Sequence, residues 1–185
     1  AWKEDDSGDH VVRVFEGSGA MWTAVRVVGG GFGRPGSAAG QLYHPEGVRF
    51  TADGTGLAVA ESGNGRVSLF RVEDGSFARH VATGLSYPFD VEECEGGWLV
   101  ACWSSHTIEF VGGDTGGVGV GRPRASLGEY GFGDGQFTTP SSIALVPGLC
   151  LAVREAGTNG RVQLFATPDA IAMASMSAAR VGWMV

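Results

Sequence analysis

Residues Leu57–Phe70 read LAVAESGNGRVSLF. An apolar, β-branched run closes on Glu61, a small-residue turn follows, and a second alternating run starts at Arg66. Two short apolar runs separated by a Gly/Asn turn describe paired antiparallel strands. The stretch returns as WLVACWSSHTIEFV (Trp98–Val111) and as LAVREAGTNGRVQLF (Leu151–Phe165), and its second half returns as DSGDHVVRVF (Asp6–Phe15). Self-similarity over several tens of residues marks a repeat architecture, in which each motif is read by its place in the repeat.

Working outward, a proline segment precedes each full copy: HPEGVRF from His44, YPFDVEE from Tyr87 and TTPSSIAL from Thr138, with Pro45, Pro88 and Pro140 aligned. Further upstream, GSAAGQLYHP (Gly36–Pro45) reappears as GFGDGQFTTP (Gly131–Pro140). The spacing suits one four-stranded unit per copy. Its strands fall at Gly47–Phe50, Leu57–Glu61, Arg66–Phe70 and about Phe77–Ala82, and the pattern repeats in units that start near 44, 87 and 139. A first unit within residues 1–30 supplies only its later strands, the last near Thr23–Val28. The final unit ends in ARVGWMV (Ala179–Val185), which aligns with a fourth strand, while the preceding DAIAMASMSA also suits a short helical turn. The expected class is all-β, in one domain over residues 1–185.

Composition agrees. The chain has 185 residues, 43% hydrophobic, with a mean hydropathy of +0.06, enough to bury a sizeable core. Gly contributes 32 residues, about twice the usual share of roughly 7%, so many turns are implied. No run approaches the roughly 20 apolar residues of a membrane-spanning helix, and AWKEDDSGDH lacks the regions of a signal peptide. No membrane span is expected. The first residue is not Met, as in a processed or excised piece. Against 13 basic residues stand 20 acidic ones, a net charge of −7, with Lys3 the sole lysine. Phosphate backbones select dense basic patches, so nucleic acid is a disfavoured partner. The one tight basic cluster is Arg122 and Arg124. Cys94, Cys102 and Cys150 are odd in number and lack C-x-x-C spacing, which favours buried thiols and a reducing compartment such as the cytoplasm over a disulfide framework or a zinc site.

Pro-x-Gly-Val at Pro45–Val48, a strand ending on an acid, and Ser-Gly-Asn-x-Arg-Val at Ser62–Val67 together resemble the NHL repeat, uncharacterised proteins of that type included. The resemblance covers nearly the whole chain. It implies a β-propeller, usually of six blades, whose loops bind proteins, peptides or RNA. The chain departs from that pattern by holding about four blade equivalents, the first partial. It is therefore read as a propeller segment, whose completion takes missing chain, a second copy or a larger assembly. Unpaired end strands would invite association.

The repeat also orders the titratable residues. Asp6, Glu61, Cys102 and Glu155 share the end of the second strand, with Arg66 and Arg161 across the turn from Glu61 and Glu155, so an ion pair or a carboxylate accepting turn N–H groups is expected there. Cys102 and Thr107 lose both partners together, while Val11 opposite Asp6 does not follow the pairing. His10 and His106 take the turn position of Gly65 and Gly160 and read as turn residues, and His80 lies on a fourth strand, partly exposed. Neither GGGFGRPG nor GGDTGGVGVG carries the Gly-Lys-Ser/Thr of a phosphate loop, and no G-x-S-x-G elbow or H-E-x-x-H helix occurs.

Loops ahead of the first strand of each unit converge near the centre of a propeller. They bring His44 and Glu46, then Tyr87, Phe89 and Asp90, then Thr139, Ser141 and Ser142 to one rim. Aromatic area with polar groups that fix register suits protein or peptide recognition; the alternative is that these loops only cap the ring. Arg49, Glu92 or Glu93 could line the channel, depending on which strand face points inward. Gly47, Asp90 and Ser142 occupy equivalent positions and make no ligand ring, so neither a metal nor a cofactor is expected. The reading is a non-enzymatic interaction or scaffold module, possible also as a peripheral subunit of a larger assembly. The alternatives are a lyase- or hydrolase-type propeller enzyme with a metal at the channel mouth and, as a minor one, RNA binding. Fold alone does not choose among them.

Overall fold

A computed structural model describes residues 10–29, 35–112, 120–146, 148–157 and 160–166. Asp6, the strand read at Ala179–Val185, the helical turn before it and the middles of both glycine runs lie outside the described residues. Four antiparallel sheets form in chain order. The first is the hairpin of β1 (Val12–Ser18) and β2 (Met21–Val28). The second holds β3 (Pro45–Phe50), β4 (Gly56–Glu61), β5 (Arg66–Arg71) and β6 (Phe77–Thr83). The third holds β7 (Pro88–Cys94), β8 (Gly97–Cys102), β9 (Thr107–Gly112) and β10 (Pro123–Leu127). The fourth holds β11 (Pro140–Val146), β12 (Cys150–Glu155) and β13 (Val162–Ala166). We refer to them as blades 1 to 4.

Strands β4 and β8 are buried at every position, which explains why LAVA and WLVA read as continuous apolar runs: both sheet faces are covered. Alternation then sends successive side chains to opposite neighbours. Leu57 and Val59 join Val28, Leu42 and Phe70 between blades 1 and 2. Ala58 and Ala60 turn the other way and meet Val91, Trp98, Val100 and Cys102 of blade 3. Leu99 and Ala101 pack with Ile143, Leu151 and Val153 of blade 4. The core is thus a series of layers between successive blades.

Strands β3, β7 and β11 are each an edge of their sheet, and β7 packs against both of the others. Blades with their first strands gathered side by side make a propeller-like arrangement, and the sheets are not closed into a ring among the described residues. Each of these strands begins at its proline, with a bulge directly after it. Pairing steps from Pro45↔Glu61 to Val48↔Val59, from Pro88↔Cys102 to Asp90↔Ala101, and from Pro140↔Glu155 to Ser142↔Arg154. The sequence pattern starts the first strand at Gly47; the bulge interrupts the alternation and hides the pairing made by Pro45.

Candidate functional site

One rim of the molecule is built from the turns between second and third strands and from the connections that enter each first strand. In blade 2 the buried Glu61 carboxylate accepts from Arg66 Nε at 2.8 Å, and Arg66 donates onward to the carbonyls of Ser37 at 2.6 Å and Gln41 at 2.7 Å. Blade 4 repeats this. Glu155 accepts from Arg161 Nε at 2.6 Å, and Arg161 donates to the carbonyls of Phe132, Gly133 and Gln136, each at 2.8 Å. The other Glu oxygen accepts the N–H of Tyr43 at 3.2 Å or of Thr138 at 2.7 Å. The ion pair expected from the repeat is present, and its carboxylate reaches the N–H of the incoming connection. The pair works as a clamp holding that connection on the blade. Burial acts to raise the Glu155 carboxyl, but the Arg161 bond and the donors from Thr138 and Gln163 outweigh it and hold the group below its ordinary 4.5.

Blade 3 has no such clamp. Cys102 and Thr107 replace the pair, and only residues 84–87 separate β6 from β7. A short connection leaves little chain to be held. Trp103 sits on the turn of this blade, where blades 2 and 4 carry Ser62 and Ala156, and its N–H donates to the Tyr87 carbonyl at 2.9 Å. The same bond runs from Ser62 to His44 at 3.0 Å and from Ala156 to Thr139 at 2.9 Å. His44 and Tyr87 hold φ values of 49° and 54°. A bulky residue in the left-handed region is strained, and the position before proline adds to it. Such strain persists where surrounding bonds over-determine it, and it concentrates at functional sites.

The result in blade 3 is an aromatic group standing out of the rim. The Trp103 ring lies 6.1 Å from Tyr87 and 5.5 Å from Phe89, tilted 56° and 51° to them. Tyr87 is 50% exposed and Trp103 37%. Glu46 is also exposed and accepts from the Ser62 hydroxyl at 2.9 Å. Its neighbour Gly47 lies so close to blade 3 that a Cβ there would stand 2.7 Å from the Phe89 carbonyl oxygen. His44 is half-buried, with ring centroids 4.5 Å from Tyr43 and 5.0 Å from His10.

The remaining rim residues serve the protein itself. Asp90 is buried, and its Oδ2 accepts from the Ser142 hydroxyl and the Ile143 N–H, both at 2.9 Å. That carboxylate staples blade 3 to blade 4. Thr139 donates its hydroxyl to the Ala156 carbonyl, and Ser141 accepts from Arg154 at 3.0 Å. So Tyr87 and the half-buried Phe89 gather around Trp103, Glu46 stands exposed next to the Gly47–Phe89 approach, and Asp90 and Ser142 meet inside. Trp103 lies outside the rim residues expected from the sequence; an aromatic where the other copies carry Ser62 and Ala156 is the signal that marks it.

Arg49 and Glu92, at equivalent positions of β3 and β7, meet at 2.5 Å in an ion contact without hydrogen-bond alignment. Burial raises the Glu92 carboxyl despite Arg49. Glu93 turns the other way and accepts the Ala52 N–H at 2.6 Å. Cys102 is buried, and Cys94 and Cys150 are half-buried. Burial, with nearby glutamates, pushes the Cys94 thiol up to about 11 and the Cys102 thiol up to about 12. Among the described residues no three of His, Cys, Asp and Glu are grouped to hold a metal ion, and no helix is long and apolar enough to cross a membrane.

These features define an all-β protein of propeller-like blades. No sequence family and no curated protein matches the chain. Among solved structures, Kuenenia stuttgartiensis hydrazine synthase is similar in fold, with a TM-score of 0.50 and 20% identity over 75% of this chain and 37% of that one. A candidate 6-phosphogluconolactonase from Bacteroides uniformis gives a TM-score of 0.55 and 13% identity over 95% of this chain and 53% of that one. The chain thus covers little more than a third of the first structure and about half of the second.

Proposed function

We propose that this chain is an interaction module of the NHL-repeat kind, which captures a protein or peptide on the rim formed by Tyr87, Phe89 and Trp103. The observation that carries the reading is the exposed aromatic group on backbone held in a strained conformation, since rigid aromatic anchors dominate protein recognition. Polar groups around it, Glu46 foremost, supply register. The test is selection of a randomised peptide display library on the immobilised full chain. Selected peptides should lose most of their affinity for the Tyr87→Ala/Phe89→Ala double variant, whose thermal stability should stay close to that of the unsubstituted protein. Equal binding by that variant would refute this face.

A second reading, compatible with the first, is that the ring is completed by association. At one end Phe15, Val25 and Val27 are 46–49% exposed, and at the other Val146, Val162 and Leu164 are 49–62% exposed. Apolar faces of this kind mark contact surfaces. The lactonase-like neighbour raises the alternative of a hydrolase on the same architecture, but a likeness at 13% identity carries the fold and no activity.

A further inference from the structure

Resting on the interaction reading above, we propose that Tyr87, Phe89 and Trp103 form a seat for a cationic side chain, an arginine of a partner peptide, with Glu46 as its counter-charge. The ring geometry supports this seat. The rings are tilted by 51° and 56° rather than stacked flat, so part of each electron-rich face stays open, and Trp is the ring to which a cation binds best. A planar guanidinium both stacks on such faces and donates to a carboxylate.

Charge points the same way. The chain carries −7 overall, and the clamp arginines of the rim are already committed. Arg66 is bonded to Glu61 and Arg161 to Glu155, with their remaining donors spent on connection carbonyls. Glu46 by contrast is exposed, and its hydrogen bond from Ser62 uses Oε1. Arg154, on blade 4, donates to Ser141. A cationic partner therefore complements the acidic chain and the exposed Glu46. The short connection before β7 adds no overhang, and Tyr87 and Trp103 keep their exposure.

The test compares two capped peptides, Gly-Arg-Gly-Arg-Gly and its citrulline counterpart, which has nearly the same shape without the charge. Binding to the full chain is followed by titration calorimetry. The arginine peptide should bind about threefold or more tightly, and the advantage should shrink as salt rises. Trp103→Leu should abolish the preference, and Glu46→Gln should reduce it. Should Trp103→Leu fail to fold, Tyr87→Leu takes its place. Equal affinity for the two peptides, or no binding of either at millimolar concentration, overturns the cationic seat. The interaction reading itself falls only if library-selected peptides bind the Tyr87→Ala/Phe89→Ala variant undiminished. If they need those rings yet carry proline or plain apolar anchors, the face stands and the cation does not.

Discussion

At the residue scale the Glu61–Arg66 pair shows what the repeat holds in common. Removing one partner of a buried pair leaves the other uncompensated, so Glu61→Cys should cost about 3–5 kcal/mol in urea denaturation. Adding Arg66→Thr, which recreates the Cys102/Thr107 combination of blade 3, should cost less than the two single changes summed. Glu155 supplies a pH test. Its folded carboxyl titrates below the unfolded value of 4.5, so its stabilisation is present at neutral pH and drains away as pH falls through and below that value. The stability gap between the unsubstituted protein and Glu155→Gln should therefore be wide at pH 7 and narrow at pH 3. The strained Tyr87 backbone gives a third test: Tyr87→Gly should be more stable than Tyr87→Ala by about 1 kcal/mol, because both lose the ring but only glycine relaxes at φ 54°. The clamp was legible in the sequence because both partners recur five or six residues apart. Asp90 was not. Its partners Ser142 and Ile143 lie 52 and 53 residues away, and the matching position in blade 2 is a glycine, so no pattern announces a staple.

At the element scale, strands were legible and their irregularities were not. Continuous apolar runs betrayed β4 and β8 because each is covered on both faces, and the Gly/Asn turns bounded them. The bulge after each proline leaves no composition of its own, so the first strands were read as starting two residues late in blade 2. At that bulge blades 2 and 3 come into close contact. A Cβ on Gly47 would stand 2.6 Å from Asp90 Oδ1 and 2.7 Å from Asp90 Cα, against backbone that has no freedom to retreat. Gly47→Ala should thus destabilise the protein by about 1–3 kcal/mol through overpacking. Gly54→Ala, at a glycine with nothing within 4 Å, has only its φ of 72° to strain and should cost less. Thermal unfolding of the two variants side by side separates steric conflict from backbone conformation.

At the scale of the whole molecule, the two middle blades have neighbours on both sides, and among the described residues the outer ones have a neighbour on one side. Blade-repeat stability is close to a sum of nearest-neighbour terms, so amide exchange should be slowest in β4 and β8 and fastest in β1, β2 and β13. If the end faces also bring chains together, sedimentation velocity should show mass rising with concentration, and Val162→Glu with Leu164→Lys should suppress the rise while leaving the rim's peptide binding intact. The succession of four blade-like sheets among the described residues was legible from the repeat; the surfaces at either end of those residues were not, because residues there follow the same pattern as those buried between blades.

Blade 3 differs from its neighbours at one corner, where a glutamate and an arginine give way to a cysteine and a threonine and a tryptophan stands on the turn. The same slot in the repeat therefore does two jobs. In blades 2 and 4 it fastens a long incoming connection to the body of the protein. In blade 3 the incoming connection is four residues and the corner faces outward. Duplicated units have divided their labour, adhesion in some and display in another, and a designer could move the display corner to a different blade only by shortening the connection that enters it.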